Sequence, residues 1–122
     1  MVCAGSIIRV TDNTGARLAR CIRVLGKWFG IPGDMLVVSI RGVVSETDKV
    51  RFKKGDIFHG VLVRSRKRVM RECGSSVLFN DNAVVLVDKK GVPLGSRVMG
   101  PIAWEVRDKG YKRIVALAMV TI

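Results

Sequence analysis

The chain has little of what enzymes use. Among its 122 residues there is one histidine, His59, and only 10 Asp plus Glu. No two carboxylates stand at a spacing suited to general acid–base work, and neither GxGxxG nor GxxxxGK[ST] occurs. His59 falls in mid-strand between Phe58 and Gly60, where it reads as a packed or hydrogen-bonded ring rather than a base. The three cysteines, Cys3, Cys21 and Cys73, form no CxxC. Their odd number argues against a disulfide framework and fits a reducing compartment. One histidine cannot complete a His–Cys metal set of the usual kinds, so neither metal nor cofactor is expected. No apolar run approaches the ~18 residues of a membrane-spanning helix. The opening MVCAGSIIRV is too short for a signal or transit peptide; such a segment was either never made or has been removed. Aromatic residues make up 6% and gather in loops. That counts against a free-standing barrel for single-stranded nucleic acid, which would spread aromatics over a strand face.

What the chain does have is positive charge and apolar residues. Lys plus Arg number 22, which gives a net charge of +12 and a pI near 10.5. Such a field on so small a body repels itself unless a polyanion neutralises it, so nucleic acid or an anionic membrane is the first class of partner. The hydrophobic content of 48% is too high for a disordered basic tail. The length suits one domain with one core.

Apolar residues come in short runs, each closed by a turn signal. Ser6–Val10 ends at the turn cluster Thr11-Asp12-Asn13-Thr14-Gly15. Arg17–Leu25 forms a second run, in which Cys21 reads as a small core residue. After the turn Pro32-Gly33-Asp34 comes Met35–Val44, with Leu36, Val38 and Ile40 on one face: the period of two of a half-buried strand. The basic turn Lys53-Lys54-Gly55-Asp56 precedes Ile57–Arg64, and Ser76–Phe79 and Ala83–Asp88 complete the β-rich series of a barrel or sandwich. Near the end, Pro101 followed by Ile102–Lys109 and Gly110 reads as a short helix, with Glu105 and Lys109 as an i,i+4 pair. The apolar tail Ile114–Ile122 fits strand or buried turn equally well.

The strongest chemical feature is Arg64-Ser65-Arg66-Lys67-Arg68-Val69-Met70-Arg71, with five cations and no acid. Placed between two strands, it reads as a long hairpin arm able to follow an RNA backbone. The plainer alternative is a solvated charge run. A second cluster, Arg51, Lys53 and Lys54, and the overall charge favour RNA contact. Trp28 and Phe29 sit beside Lys27 between Gly26 and Gly30, either stacked on bases or tucked into the barrel end. Trp104 is core or contact, and Cys73, before Gly74 in the arm's turn, is a candidate exposed thiol.

These residues resemble the L-fourteen family of large-subunit ribosomal proteins in its bacterial type, over nearly the whole chain. The resemblance rests on Val10-Thr11-Asp12-Asn13-Thr14-Gly15-Ala16-Arg17, on Cys21–Gly26, on Val50–Asp56, and on Gly60-Val61-Leu62-Val63 followed by a basic arm, Phe79, Asn82, Val85 and Leu86. It continues through Gly95-Ser96-Arg97-Val98-Met99-Gly100-Pro101 to Glu105 and Arg107. It implies a mainly β single domain: a five-stranded barrel over roughly residues 1–95, a protruding basic hairpin, and a small C-terminal part with short helices over roughly 96–122. It implies a non-enzymatic constituent of the large subunit. Arg17, Arg51, Lys53, Lys54, Arg64, Arg66, Lys67, Arg68 and Arg71 would then bind large-subunit rRNA. A second face of Ser96, Arg97, Arg107, Lys109, Lys112 and Arg113 would meet small-subunit rRNA across the interface or a ribosome-silencing factor. Neighbours of the L-three and L-nineteen families are implied, and no membrane. Three departures stand out: Cys73 before the arm's glycine, Trp28 and Phe29 in a loop that usually carries arginines, and Trp104 in place of a usual arginine. The bacterial-type pattern fits a bacterium, a plastid or a mitochondrion, and the lost loop arginines point toward an organelle.

Overall fold

A computed structural model describes residues 2–43 and 53–122. In chain order the elements are β1 (Val2–Cys3), β2 (Ile7–Val10), β3 (Ala16–Val24), β4 (Phe29–Gly30), β5 (Met35–Val43), β6 (Ile57–Arg64), β7 (Val69–Met70), β8 (Ser76–Val77) and β9 (Ala83–Val87). There follow β10 (Val98–Ile102), α1 (Glu105–Asp108), α2 (Lys112–Leu117) and β11 (Ala118–Thr121). Strands β2-β3-β5-β6-β9 close a five-stranded barrel. All its pairings are antiparallel except β2 with β9. Closure leaves none of these strands with an unpaired edge, which suits a chain too short for a second sheet.

Two strand patterns explain the layering. In β5 the alternation is kept, with Leu36, Val38 and Ile40 buried and their neighbours partly exposed. In β9 all five residues are buried. A strand covered on both sides has no polar face to present, so its sequence runs apolar without a break. One face of β6 and β9, with Leu62, Val84 and Leu86, joins Ile8, Val10, Cys21, Val24 and β5 in the barrel interior. The other face, with Val61, Val63, Val85 and Val87, packs against Val98, Ile102, Val106 and Ile114. The C-terminal segment is therefore a second layer over one side of the barrel.

That layer differs from the sequence expectation. Pro101 lies in β10, which pairs in parallel with β11, and the helix that follows spans only Glu105–Asp108. The tail is helix first, Lys112–Leu117, and strand after, Ala118–Thr121. The reason is burial: Ile102 and Ile114 are fully buried against β6 and β9, and that contact overrides the helix-start signal of Pro101. The expected Glu105–Lys109 pair is not formed, because Arg71 takes the Glu105 carboxylate at 3.1 Å.

Layer and barrel are tied together by polar groups that one short motif supplies. Arg64, at the end of β6, is only 7% exposed. Its Nε and Nη2 donate to the two Asp81 carboxylate oxygens at 3.0 and 3.2 Å, its Nη1 to the Met99 and Pro101 carbonyls at 2.9 and 3.1 Å, and its Nη2 also to Thr11 Oγ1 at 3.2 Å. All five guanidinium N–H groups are used. Thr11 Oγ1 in turn donates to the Met99 carbonyl at 2.6 Å. The guanidinium lies so close over Gly100 that a Cβ there would sit 2.5 Å from Nη1. Asp12 accepts from Thr14 N, Thr14 Oγ1 and Leu86 N at 3.2, 2.6 and 3.0 Å, and burial pushes its carboxyl above the usual range against those bonds. Asn13 Oδ1 accepts from Ser96 N and Arg97 N at 2.8 and 3.1 Å, and its Nδ2 donates to Ser96 Oγ at 2.7 Å. Thr11-Asp12-Asn13 thus bonds the barrel's first turn to β9, to β10 and to the loop before β10.

Arg64→Ala removes the donor to the Pro101 carbonyl and Thr11 Oγ1, one of two donors to the Met99 carbonyl and the closest partner of Asp81, and should cost about 3–5 kcal/mol of stability. Arg64→Lys, with three donors on a single nitrogen, should restore only part of it. Urea unfolding followed by circular dichroism reads both; a midpoint unchanged in Arg64→Ala would refute the role.

Candidate nucleic-acid interface

The basic segment splits into two kinds of residue. Its ends turn inward: Arg64 is the buried hub, and Arg71 donates to both Glu105 oxygens at 3.1 and 3.3 Å and to the Ile122 carbonyl at 2.6 Å. These two, expected from the sequence to bind RNA, are committed to the fold, because an arginine beside an acid in a half-buried setting forms its ion pair within the chain. Arg66, Lys67 and Arg68 between them are exposed. Their backbone is fixed where it leaves the barrel: Arg66 N donates to Asn82 Oδ1 at 2.9 Å and Lys67 N to Ser65 Oγ at 3.1 Å. The hairpin beyond is short, β7 against β8 with two residues each. Its turn closes through Gly74 N to the Arg71 carbonyl at 3.0 Å, with Gly74 at φ +87°.

Five further arginines stand on the barrel itself. Arg9 in β2, Arg17, Arg20 and Arg23 in β3, and Arg41 in β5 are all exposed. These three strands hold no Asp or Glu. Register shifts at Ala16/Leu18, Leu18/Ala19 and Cys21/Arg23 break the period of two in β3. Its buried residues are Ala16, Ala19, Cys21 and Val24, and its three arginines all face out. Sequence reading had singled out only Arg17 as a contact, since bulges leave no periodic trace. The C-terminal layer packs on β6 and β9, and among the described residues these five arginines are left exposed.

Lys53 and Lys54 are exposed in the turn before β6, while Arg51 lies outside the described residues. Trp28 is 93% exposed. Phe29 is 42% exposed and carries the Lys67 ammonium 4.8 Å from its ring centroid, which links the 28–29 loop to the basic segment. On the C-terminal layer, Arg97, Arg107, Lys109, Lys112 and Arg113 are exposed. Ser96 has its backbone and hydroxyl held by Asn13. A small depression of about 280 Å³ lined by Val92, Pro93, Gly95, Arg113, Ala116 and Leu117 joins the 95–97 loop to α2. Trp104 is 41% exposed, with the Arg107 guanidinium stacked on it at 4.8 Å.

Among the described residues no group of three His, Cys, Asp or Glu could hold a metal, and no helix is long and apolar enough to cross a membrane. Cys21 is buried, and burial pushes its thiol up. Cys73 is exposed; the Ser75 hydroxyl, 2.9 Å from Sγ, and then the Ser75 backbone hold its thiol below the ordinary value.

A closed barrel with a second apolar layer on one side and exposed cations on the others is a small basic β-barrel protein. The family model described as "Ribosomal protein L14p/L23e" matches residues 1–122. The large ribosomal subunit protein uL14 of Petrotoga mobilis (strain DSM 10674 / SJ95) is 48% identical over 121 residues, covering 97% of each chain. The chain belongs to this ribosomal protein family, which is one of structural proteins of the large subunit and not of enzymes.

Gly74→Val forces a β-branched residue into a left-handed turn and should cost about 1–2 kcal/mol in the hairpin while the barrel stays folded. Hydrogen exchange that loosens β7–β8 but leaves β9 protected is the expected pattern; uniform loosening would contradict it. Alkylation at neutral pH should modify Cys73 faster than Cys3 and leave Cys21 untouched until unfolding. Peptide mass spectrometry checks the order, and early labelling of Cys21 would contradict the buried strand.

Proposed function

We infer that the protein anchors itself to large-subunit rRNA through two adjoining sets of exposed cations, Arg66–Arg68 and the β2–β3–β5 arginines. The observation that carries this reading is the sorting of charge. Arg64 and Arg71, each held closely by an acid, face inward; exposed Arg9 reaches Asp81 only at 3.9 Å, and the arginines on β3 and in the mid-segment have no ion pair among the described residues. A surface of guanidinium groups without acids is unfavourable alone and favourable against phosphates. The barrel strands offer no aromatic platform on that face, since Phe58 packs on the core, so backbone contact rather than strand-face base stacking is the mode. Lys53 and Lys54 extend the surface, and Arg51 belongs to it by sequence.

The C-terminal face of Arg97, Arg107, Lys109, Lys112 and Arg113, with Ser96 holding its loop, serves the subunit interface. It meets small-subunit rRNA or a ribosome-silencing factor, and L-three and L-nineteen proteins adjoin the molecule. The resemblance supplies these partners; the exposure of these side chains on a layer distinct from the barrel arginines supports the division. The bacterial-type pattern and the bacterial relative favour a bacterial-type ribosome, whether in a bacterium or in an organelle.

Each phosphate contact adds about 0.7–0.9 to the slope of log K against log salt. Arg66→Ala with Arg68→Ala should therefore flatten the slope for large-subunit rRNA by about 1.4–1.8. An unchanged slope would mean that this segment faces solvent. Arg97→Glu with Arg113→Glu should leave incorporation into large subunits intact and weaken subunit joining or silencing-factor docking. Loss of incorporation would make the face an rRNA anchor instead.

A further inference from the structure

Trp28 is the most exposed large apolar side chain among the described residues, at 93%. It is not on a loose loop. The segment around it is pinned by Leu25 N to the Met35 carbonyl at 3.1 Å, by Ile31 N to Asp34 Oδ2 at 2.9 Å, and by the β1–β4 pairing of Cys3 with Phe29. Asp34 is buried and bridges Lys27 at 3.2 Å, which fixes the residue before the tryptophan. A pinned loop therefore holds an indole out in water, with no side chain among the described residues covering it. Beside it lies an open depression of about 530 Å³ lined by Ala4, Arg23, Val24, Gly26, Lys27 and Trp28. Its lining has an apolar floor and two cations. One of these, Arg23, has no ion pair among the described residues. The loop is continuous with the Arg66–Arg68 segment through the Lys67–Phe29 contact.

We propose that Trp28 is a stacking platform for one unpaired RNA base, with Arg23 receiving the adjacent phosphate. An aromatic face flanked by an uncommitted guanidinium and no free acid fits a nucleotide: the base on the ring, the phosphate on the cation. A protein partner would have to bring acids to the same rim to meet Arg23 and Lys27. This assignment rests on the rRNA-anchoring reading above and specifies a base contact within it, where the other cations make phosphate contacts only.

The test uses the full chain carrying Trp104→Phe, so that Trp28 is the sole reporter of indole emission. A single-stranded oligoadenylate should quench that emission, and an abasic oligonucleotide of equal length should bind without quenching. Trp28→Ala should weaken oligoadenylate binding roughly 5- to 100-fold, and Trp28→Phe much less, with the salt slope unchanged in both. Binding of oligoadenylate with unchanged emission and unchanged affinity in Trp28→Ala overturns the stacking site while leaving the anchoring reading intact. A blue shift without quenching on incorporation into large subunits places a protein over the ring and also overturns it. Failure of the parent chain to bind either oligonucleotide or large-subunit rRNA overturns the anchoring reading itself.

Discussion

A guanidinium removed from water must find partners for five N–H groups within the fold, and Arg64 finds them on three different segments. Asp81 comes from the approach to β9, Thr11 from the barrel's first turn, and the Met99 and Pro101 carbonyls from β10. The charge fixes where β10 crosses the barrel, and β10 fixes where the two helices and β11 sit. Breaking any partner leaves the rest buried and unpaired, so the arrangement holds together or fails together. Gly100 follows from the same constraint, since the guanidinium occupies the space a side chain would need.

This constraint divides the cations into two populations. A chain of +12 has too few acids to pair every cation, and the structure places its two closely paired arginines, Arg64 and Arg71, at the joints. The remainder stand on the uncovered barrel face, on the mid-segment and on the C-terminal layer. Apart from ring contacts such as Lys67 on Phe29 and Arg107 on Trp104 they lie at the surface, and their mutual repulsion opposes folding. On the proposed reading, stability and binding use different residues of the same type, and a substitution of arginine has different consequences depending on which side of the barrel wall it lies.

Much of the fold was legible in the chain. The alternation of Leu36, Val38 and Ile40 located one face of β5, and the runs closed by Thr11–Gly15 and by Lys53–Asp56 located the strand ends. The closed barrel agrees with the fold that the family resemblance implies. Legibility failed where a distant contact decided. Pro101 carries a helix-start signal that the parallel pairing with β11 overrides. Arg64 and Arg71 look identical to Arg66 and Arg68 in sequence, because the acids that claim them, Asp81 and Glu105, lie 17 and 34 residues away. The β3 arginines escaped notice for the opposite reason: bulges place Arg17, Arg20 and Arg23 on one face at a spacing that no simple strand period contains. The family motif at Thr11-Asp12-Asn13, recognisable as a turn, gave no sign that each of its side chains bonds a different element.

The division between structural and binding cations is tested most directly by the salt dependence of binding between the unmodified protein and isolated large-subunit rRNA. With the seven outward arginines of the two anchoring sets on phosphates, log K should fall against log salt with a slope of about −5 to −6. The protein's own unfolding midpoint should move little over the same salt range, because the Arg64 pairings are shielded from solvent. A slope close to zero, or an unfolding midpoint that collapses in step with the loss of binding, would contradict it.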